Sequence, residues 1–209
     1  MKRFEIITEA DARVLTPGDA VMLAKGGHIT PLAQDTLADR RVTVVHEGRA
    51  SADDQSLVPV ADIRSIAIAG DHTAVKLRRM LAAFLRSRGL AVNDLGTDGS
   101  DPVDYPDVAA SVGRLVARGE ADAGIVIDGA GIGSAIAANK IAGIRAVMAT
   151  TETIARYARA HNGANVLTLG ATLVSPDEAR AIVVVWLETA MREPRYIRRL
   201  AKIRDLESK

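Results

Sequence analysis

"AGIVIDGAGIGSAIAANK", residues 123–140, decides how this chain is read. Ala123-Gly124-Ile125-Val126-Ile127 is an unbroken apolar run of strand length. A run of that kind, closed by glycine, reads as a strand covered on both faces, as in a parallel sheet. One carboxylate, Asp128, ends it. Glycines stand at 129, 131 and 133, and a helix-like segment, GSAIAANKIAG, follows. A buried strand that feeds a glycine turn and a helix is the repeating joint of α/β folds.

The same alternation continues on both sides. Upstream, SIAIAG reads as a buried strand and AVKLRRMLAAFLRSRG as an amphipathic helix closed by Gly89. LAVNDLG is a strand and YPDVAASVGRLVARGEA a helix. Downstream, IRAVMAT is a strand, TETIARYARAHNG a helix, ANVLTLG a strand and SPDEARAIVVVWLETAM a long helix. The basic tail REPRYIRRLAKIRDLESK is helical. Five strands alternating with helices predict a doubly wound, parallel, five-stranded α/β sheet of the Rossmann-like kind. Ligands of such sheets bind at the C-terminal strand ends.

The first residues differ. FEIIT, DAVMLAKGG and VTVV read as short strands, the second ending in a glycine turn, with Thr8 and Thr30 as helix caps between them and Pro31 at a first helical position. The polar stretch that follows reads as a linker. The expected division is a small α/β module at 1–48, a linker at 49–62 and the main domain at 63–209.

Composition bounds the function. Of 209 residues 48% are hydrophobic and 3% aromatic, so the core is aliphatic. Twenty-seven basic residues against 26 acidic ones leave a net charge of +1, which gives no general argument for nucleic acid or a membrane surface. Cysteine is absent, so neither a disulfide nor thiolate chemistry is available. No apolar run approaches the roughly 18 residues of a membrane span. MKRFEIITEADAR turns acidic too early for a signal peptide, so a cytoplasmic protein is the expectation.

Four stretches carry candidate chemistry. Asp71 and His72 follow the first main-domain strand, as substrate contacts or as an N-cap with an incidental histidine. Gly129, Gly131 and Gly133 offer backbone amides for an oxyanion, although the spacing is not that of the dinucleotide fingerprint; tight packing is the alternative. At such a strand end a carboxylate is partly desolvated and takes up a proton more readily, which suits Asp128 to general-base work; capping the next helix is the alternative. His161 and Asn162 lie between a helix and a strand, where a surface histidine at a helix C-terminus is the bland reading. Arg195 and Arg199 are four apart on one helix face, which suits a phosphate, or a solvated tail.

Taken together, GDH (70–72), DLGT (94–97), DYPD (104–107), GEAD (119–122), GAGIG and IAANK (129–140), GIRA (143–146), HN and ANVL (161–167) and RYIRR (195–199) resemble the ribose-5-phosphate isomerase B family, which includes the galactose-6-phosphate isomerase subunits. The likeness runs from about Ile66 to Ile203 and implies a cofactor-independent aldose–ketose isomerase acting on a phosphorylated sugar through an enediolate. It implies Asp71, His72, Tyr105, Asn139 and Asn162 as substrate contacts, His161 in ring opening, and Arg195 and Arg199 on the phosphate. It implies no metal and a homodimer or tetramer with shared sites.

The departures fall in one pocket. Many members have Cys-Gly-Thr-Gly where this chain has Asp128-Gly129-Ala130-Gly131, and that Cys is their base. Another branch uses a Glu at the position of Ser134. Ala171-Thr172 stands where an Arg often follows Leu-Gly, and Tyr196 replaces a His. Asp128 is thus the only carboxylate at either base position, which leaves a changed base or a lost reaction. Residues 1–48 resemble short modules on enzymes of bacterial microcompartments, with packing or oligomerisation as the alternative role.

Overall fold

In the computed structural model, which describes residues 1–46, 54 and 56–207, the chain folds into two separate parallel sheets. The first is β1 (Arg3–Ile7), β2 (Ala20–Ile29) and β3 (Thr43–His46), in the order β1-β2-β3. Its crossovers are α1 (Glu9–Val14) and α2 (Pro31–Asp39). Thr8 and Asp11 form a reciprocal capping box that starts α1. Thr30 caps α2 without a side-chain hydrogen bond. Ile7, Ala12, Leu15, Val21, Leu23, Ala33 and Leu37 pack into a core of their own. The turn expected at Gly26-Gly27 is instead an irregularity inside β2, because pairing with β1 resumes at Ile6–His28 and Ile7–Ile29.

Residues 47–53 and 55, much of the expected linker, lie outside the described residues. The second sheet contains β4 (Ser65–Gly70), β5 (Ala91–Asp94), β6 (Ala123–Asp128), β7 (Ala146–Met148) and β8 (Val166–Gly170), in the order β5-β4-β6-β8-β7. Every pair is parallel, as the alternation predicts.

Helices cover both faces because the strands are apolar on both. Ile66, Ile68, Ile125 and Ile127 face α3 (Val75–Ser87), α6 (Glu152–Asn162) and α7 (Pro176–Glu188). Ala67, Ala69 and Val126 face α4 (Tyr105–Ala117) and α5 (Ile132–Ala138). All six residues of β6 are buried. Burying each isoleucine contributes roughly 1.5–3 kcal/mol. A last helix, α8 (Pro194–Glu207), buries Tyr196, Ile197 and Leu200 with Met191. No helix among the described residues is long and apolar enough to cross a membrane.

One side chain ties the lower ends of β4 and β6. The Asp122 carboxylate accepts from the amides of Arg64 and Ser65 at 2.9 and 2.8 Å and from the Ser65 hydroxyl at 2.9 Å. Partial burial pushes its proton affinity up, but these donors outweigh that and hold it below the usual aspartate value. A carboxyl with a depressed folded-state pKa stabilises above its unfolded value and loses that contribution as pH falls. Asp122→Ala is therefore expected to cost about 1–3 kcal/mol at pH 7 in urea unfolding. The difference from the parent should shrink below pH 4.

Candidate active site

The upper pole, at the C-terminal ends of the strands, gathers one set of predicted residues. Asp128 ends β6, and Ile127, the residue before it, accepts through its carbonyl from the Asp71 amide at 3.1 Å. The acid that follows β4 and the acid that ends β6 therefore stand on neighbouring strand ends. Asp71 is 6% exposed, and one of its oxygens accepts from the Thr73 amide (2.9 Å) and hydroxyl (2.6 Å). His72 Nδ1 accepts from the Val103 amide at 3.2 Å. In a neutral ring that leaves the proton on Nε2, as a donor.

The loop carrying Val103 is fixed by Arg78. This fully buried guanidinium binds the Asp94 and Asp98 carboxylates and donates to the Thr97 carbonyl at 2.9 Å. In a helix whose pattern is amphipathic, a buried arginine was not legible.

The glycine turn is shaped by two close approaches. Gly131 has φ +75°, and a Cβ there would lie 2.8 Å from the Leu169 carbonyl carbon. At Gly133 a Cβ would lie 2.5 Å from the Tyr105 ring, so the tyrosine rests directly on the turn. Thr172 secures the turn from β8, its hydroxyl donating to the Gly129 carbonyl at 2.7 Å.

Asp128 is more enclosed than the partly desolvated carboxylate the sequence suggests. It is 5% exposed and accepts four hydrogen bonds from its own turn. One oxygen takes the amides of Ala130 (2.7 Å) and Gly131; the other takes the amide (3.1 Å) and hydroxyl of Ser134. The capping alternative is therefore realised, and the carboxylate itself fills part of the expected oxyanion cradle. The first-turn amides of α5 that Asp128 does not engage are those of Ile132 and Gly133.

Asn139 has a structural role that the sequence reading did not anticipate. Its amide donates to the carbonyls of Ala135 (2.9 Å) and Ala146 (2.8 Å), and its oxygen accepts from the Ala146 amide at 2.8 Å. It completes the backbone pairing of edge strand β7 and also lines, with Asn162, the cavity beside that strand.

The remaining residues gather at the lower pole. Gly124 pairs with Val166 and Asp128 with Gly170, while α6 descends to Asn162, just before β8 begins. His161 and Asn162 are thus separated from Asp128 by about 13 Å of strand rise alone. One chain does not bring them to the glycine turn.

At this pole His161 is stacked between two tyrosines. Its ring centroid is 4.7 Å from that of Tyr157 and 4.6 Å from that of Tyr196. The guanidiniums of Arg195 and Arg199 lie 4.9 and 5.3 Å from the Tyr196 ring centre. Arg195 also donates to the Tyr196 hydroxyl at 3.2 Å. Tyr157 was missed, although its i, i+4 spacing to His161 was a legible signal. A cavity of about 620 Å³ opens beside β7, lined by Lys140, Arg145, Asn162 and Ile203 among others. No residue of the glycine turn lines it.

The family model for "Ribose/Galactose Isomerase" matches residues 66–203. The chain belongs to this family. Ribose-5-phosphate isomerase B of Escherichia coli is 40% identical over 147 residues, 70% of this chain and 99% of that protein. D-erythrulose-4-phosphate isomerase of Pectobacterium atrosepticum is 39% identical over 126 residues, 59% of this chain and 82% of that one. The solved structure of Clostridium thermocellum ribose-5-phosphate isomerase B superposes with a TM-score of 0.68 at 45% identity. That superposition covers 69% of this chain and 97% of the clostridial one. The ribose/galactose isomerase fold thus accounts for the second sheet and its helices, and residues 1–65 precede the matched region.

Proposed function

We propose that the protein interconverts the aldose and ketose forms of a phosphorylated sugar of four to six carbons without a cofactor, in a homodimer. The observation that carries this reading is the pairing of a buried carboxylate on a glycine turn with a separate cluster of histidine and arginines, on a family fold. Its relatives include isomerases named for a five-carbon and a four-carbon sugar phosphate.

The two half-sites lie at opposite poles, so a site complete in phosphate grip and base needs two chains. Apolar side chains are available to hold them together. Ile132 and Ile136 on α5 and Ile154 and Tyr157 on α6 are 38–59% exposed. Both helices flank the edge strand β7. A two-fold pairing then sets the partner's Arg195 and Arg199 over the glycine turn.

In the proposed reaction the arginines hold the phosphate by charge-assisted hydrogen bonds. The partner's His161, with Asn162, moves the proton that opens the sugar ring. Asp71, His72 and Tyr105 take the hydroxyls. Asp128 removes the C2 proton and returns it to C1 while the hydroxyl proton passes from O2 to O1, and the amides of Ile132 and Gly133 hold the enediolate oxygen. Ala130 supplies no hydroxyl beside the ring, which favours sugars that need little or no opening, such as a tetrose phosphate.

A panel of C4 to C6 aldose phosphates in deuterium oxide, followed by NMR, tests this directly. Deuterium should enter at the carbon next to the carbonyl, with ketose formation, for at least one sugar. Tight binding without any exchange would leave a sugar-phosphate-binding protein instead. Residues 1–48 are assigned an assembly role, supported by the separate core and by exposed Val14 and Leu32. The setting is the cytoplasm or the interior of a bacterial microcompartment.

A further inference from the structure

Residues 57–60 precede the family-matched region, yet they are built into the lower half-site. Arg145 donates to the Leu57 carbonyl at 2.8 Å and, through Nε, to the Gly163 carbonyl at 2.8 Å. Arg159 donates to the Val60 carbonyl at 2.7 Å and to the Ala164 carbonyl at 2.9 Å. Each arginine therefore clamps the incoming segment to the turn that follows His161 and Asn162.

The side chains of the segment reinforce the clamp. Leu57 and Val58 pack against the cluster of Met191, Tyr196, Ile197 and Leu200. A Cβ at Gly163 would lie 3.3 Å from the Pro59 ring, so the segment and the turn are in direct contact. Tyr196 in turn covers one face of His161 and carries both Arg195 and Arg199. The apolar anchor of the segment thus packs on the cluster to which Tyr196 belongs, and Tyr196 touches all three groups.

The arginine clamp is an unusual investment. Arg159 is fully buried and has no carboxylate within salt-bridge distance among the described residues; beyond backbone carbonyls it has only the Trp186 ring, 5.1 Å away. Burial and the neighbouring Arg145 lower its pKa to about 10. A buried cation depends on acceptors for its donors. The Nε of Arg159 has none among the described residues, and the incoming segment supplies an acceptor to a terminal nitrogen of each guanidinium. Without it a donor of each arginine would face no protein acceptor, and the turn carrying His161 and Asn162 would lose its outer support.

We infer that Leu57–Val60 is a positioning strap, added to the family fold, which holds His161 and the Arg195–Arg199 pair in register for the phosphorylated substrate. It acts through Tyr196 and the turn at Gly163 and touches no substrate. The inference rests on the lower half-site being the phosphate grip proposed above.

The test uses the full-length chain and inorganic phosphate as the probe. Leu57→Ala with Val58→Ala should raise the KM of the sugar phosphate and the dissociation constant of inorganic phosphate about 10-fold, since small misplacements of binding groups are costly. The conservative pair Leu57→Ile with Val58→Ile should restore the parent values. Leu23→Ala, in the core of the first sheet, should lower stability there and leave both constants unchanged. A Leu57→Ala, Val58→Ala chain with a lowered unfolding midpoint but parental KM and phosphate affinity would overturn the strap. If the double variant does not fold, Val58→Ala alone is read in the same way. Arg195→Ala with Arg199→Ala separates the two readings: unchanged phosphate binding there removes the phosphate grip itself. Binding lost there but parental in the strap variant removes only the strap.

Discussion

Two inactive chains are expected to restore activity when mixed. One carries Asp128→Asn; the other carries Arg195→Ala and Arg199→Ala. In kcat/KM the first alone should lose at least about 1,000-fold through chemistry and the second at least about 100-fold through KM, because each removes a charged group that acts on the substrate. In the mixed dimer one site pairs an intact glycine turn with intact arginines, and the other site combines both defects. Random exchange of subunits at equal concentration makes half the dimers mixed, so activity should return to about one quarter of the parent. The physical ground is the register of the sheet. Asp128 ends β6 opposite Gly170, whereas His161 precedes the start of β8 and stacks on Tyr196 of the arginine helix. No rotamer spans that length of strand. A mixture as inactive as its components, with subunit exchange verified by mass, would require a site complete within one chain.

Much of the fold was legible in short apolar runs. β6 is buried at all six positions, and an unbroken run such as Ala123 to Ile127 reports that directly. The helices followed from caps and glycines: Thr8 starts α1 in a capping box with Asp11, and Gly89, with φ +84°, follows the end of α3. Position around the sheet was less legible than the elements themselves. Nothing local in HN at 161–162 says at which pole the pair lies. That follows from α6 running antiparallel to the strands, a property of the assembled unit.

Side-chain direction was the least legible quantity. Asn139 sits in a motif that reads as substrate-facing, and nothing in that motif shows that an edge strand three residues long also takes its backbone partners from the asparagine. The segment at 57–60 read as linker because the stretch around it is polar and loosely patterned, although Leu57-Val58-Pro59-Val60 itself is apolar. Its carbonyls, which carry the contact to Arg145 and Arg159, have no sequence signature at all.

Asp128 poses a sharper test, because two roles meet in one carboxylate. Asp128→Asn is expected to lower kcat by at least about 1,000-fold, on the scale of removing a general base with its electrostatic support. By itself that result would not show which role was lost. An asparagine amide would turn a donor toward the amides of Ala130 and Gly131 or of Ser134, and the turn would open. Ser134→Ala separates them. Ser134 is fully buried and touches no substrate, but its hydroxyl donates to Asp128. Removing one donor to a charged oxygen costs about 1.5 kcal/mol and loosens the carboxylate in its turn. If Asp128 is the base, Ser134→Ala should slow exchange of the C2 proton at saturating substrate about 10-fold, because the reacting carboxylate is no longer held in place. If Asp128 only caps the turn, Ser134→Ala should lower stability in urea while leaving that exchange rate unchanged. An unchanged exchange rate together with a measurable stability loss would therefore take Asp128 out of the proton transfer. The neighbouring Asp71, which follows β4, would then be the carboxylate to test next, by the same exchange in Asp71→Asn.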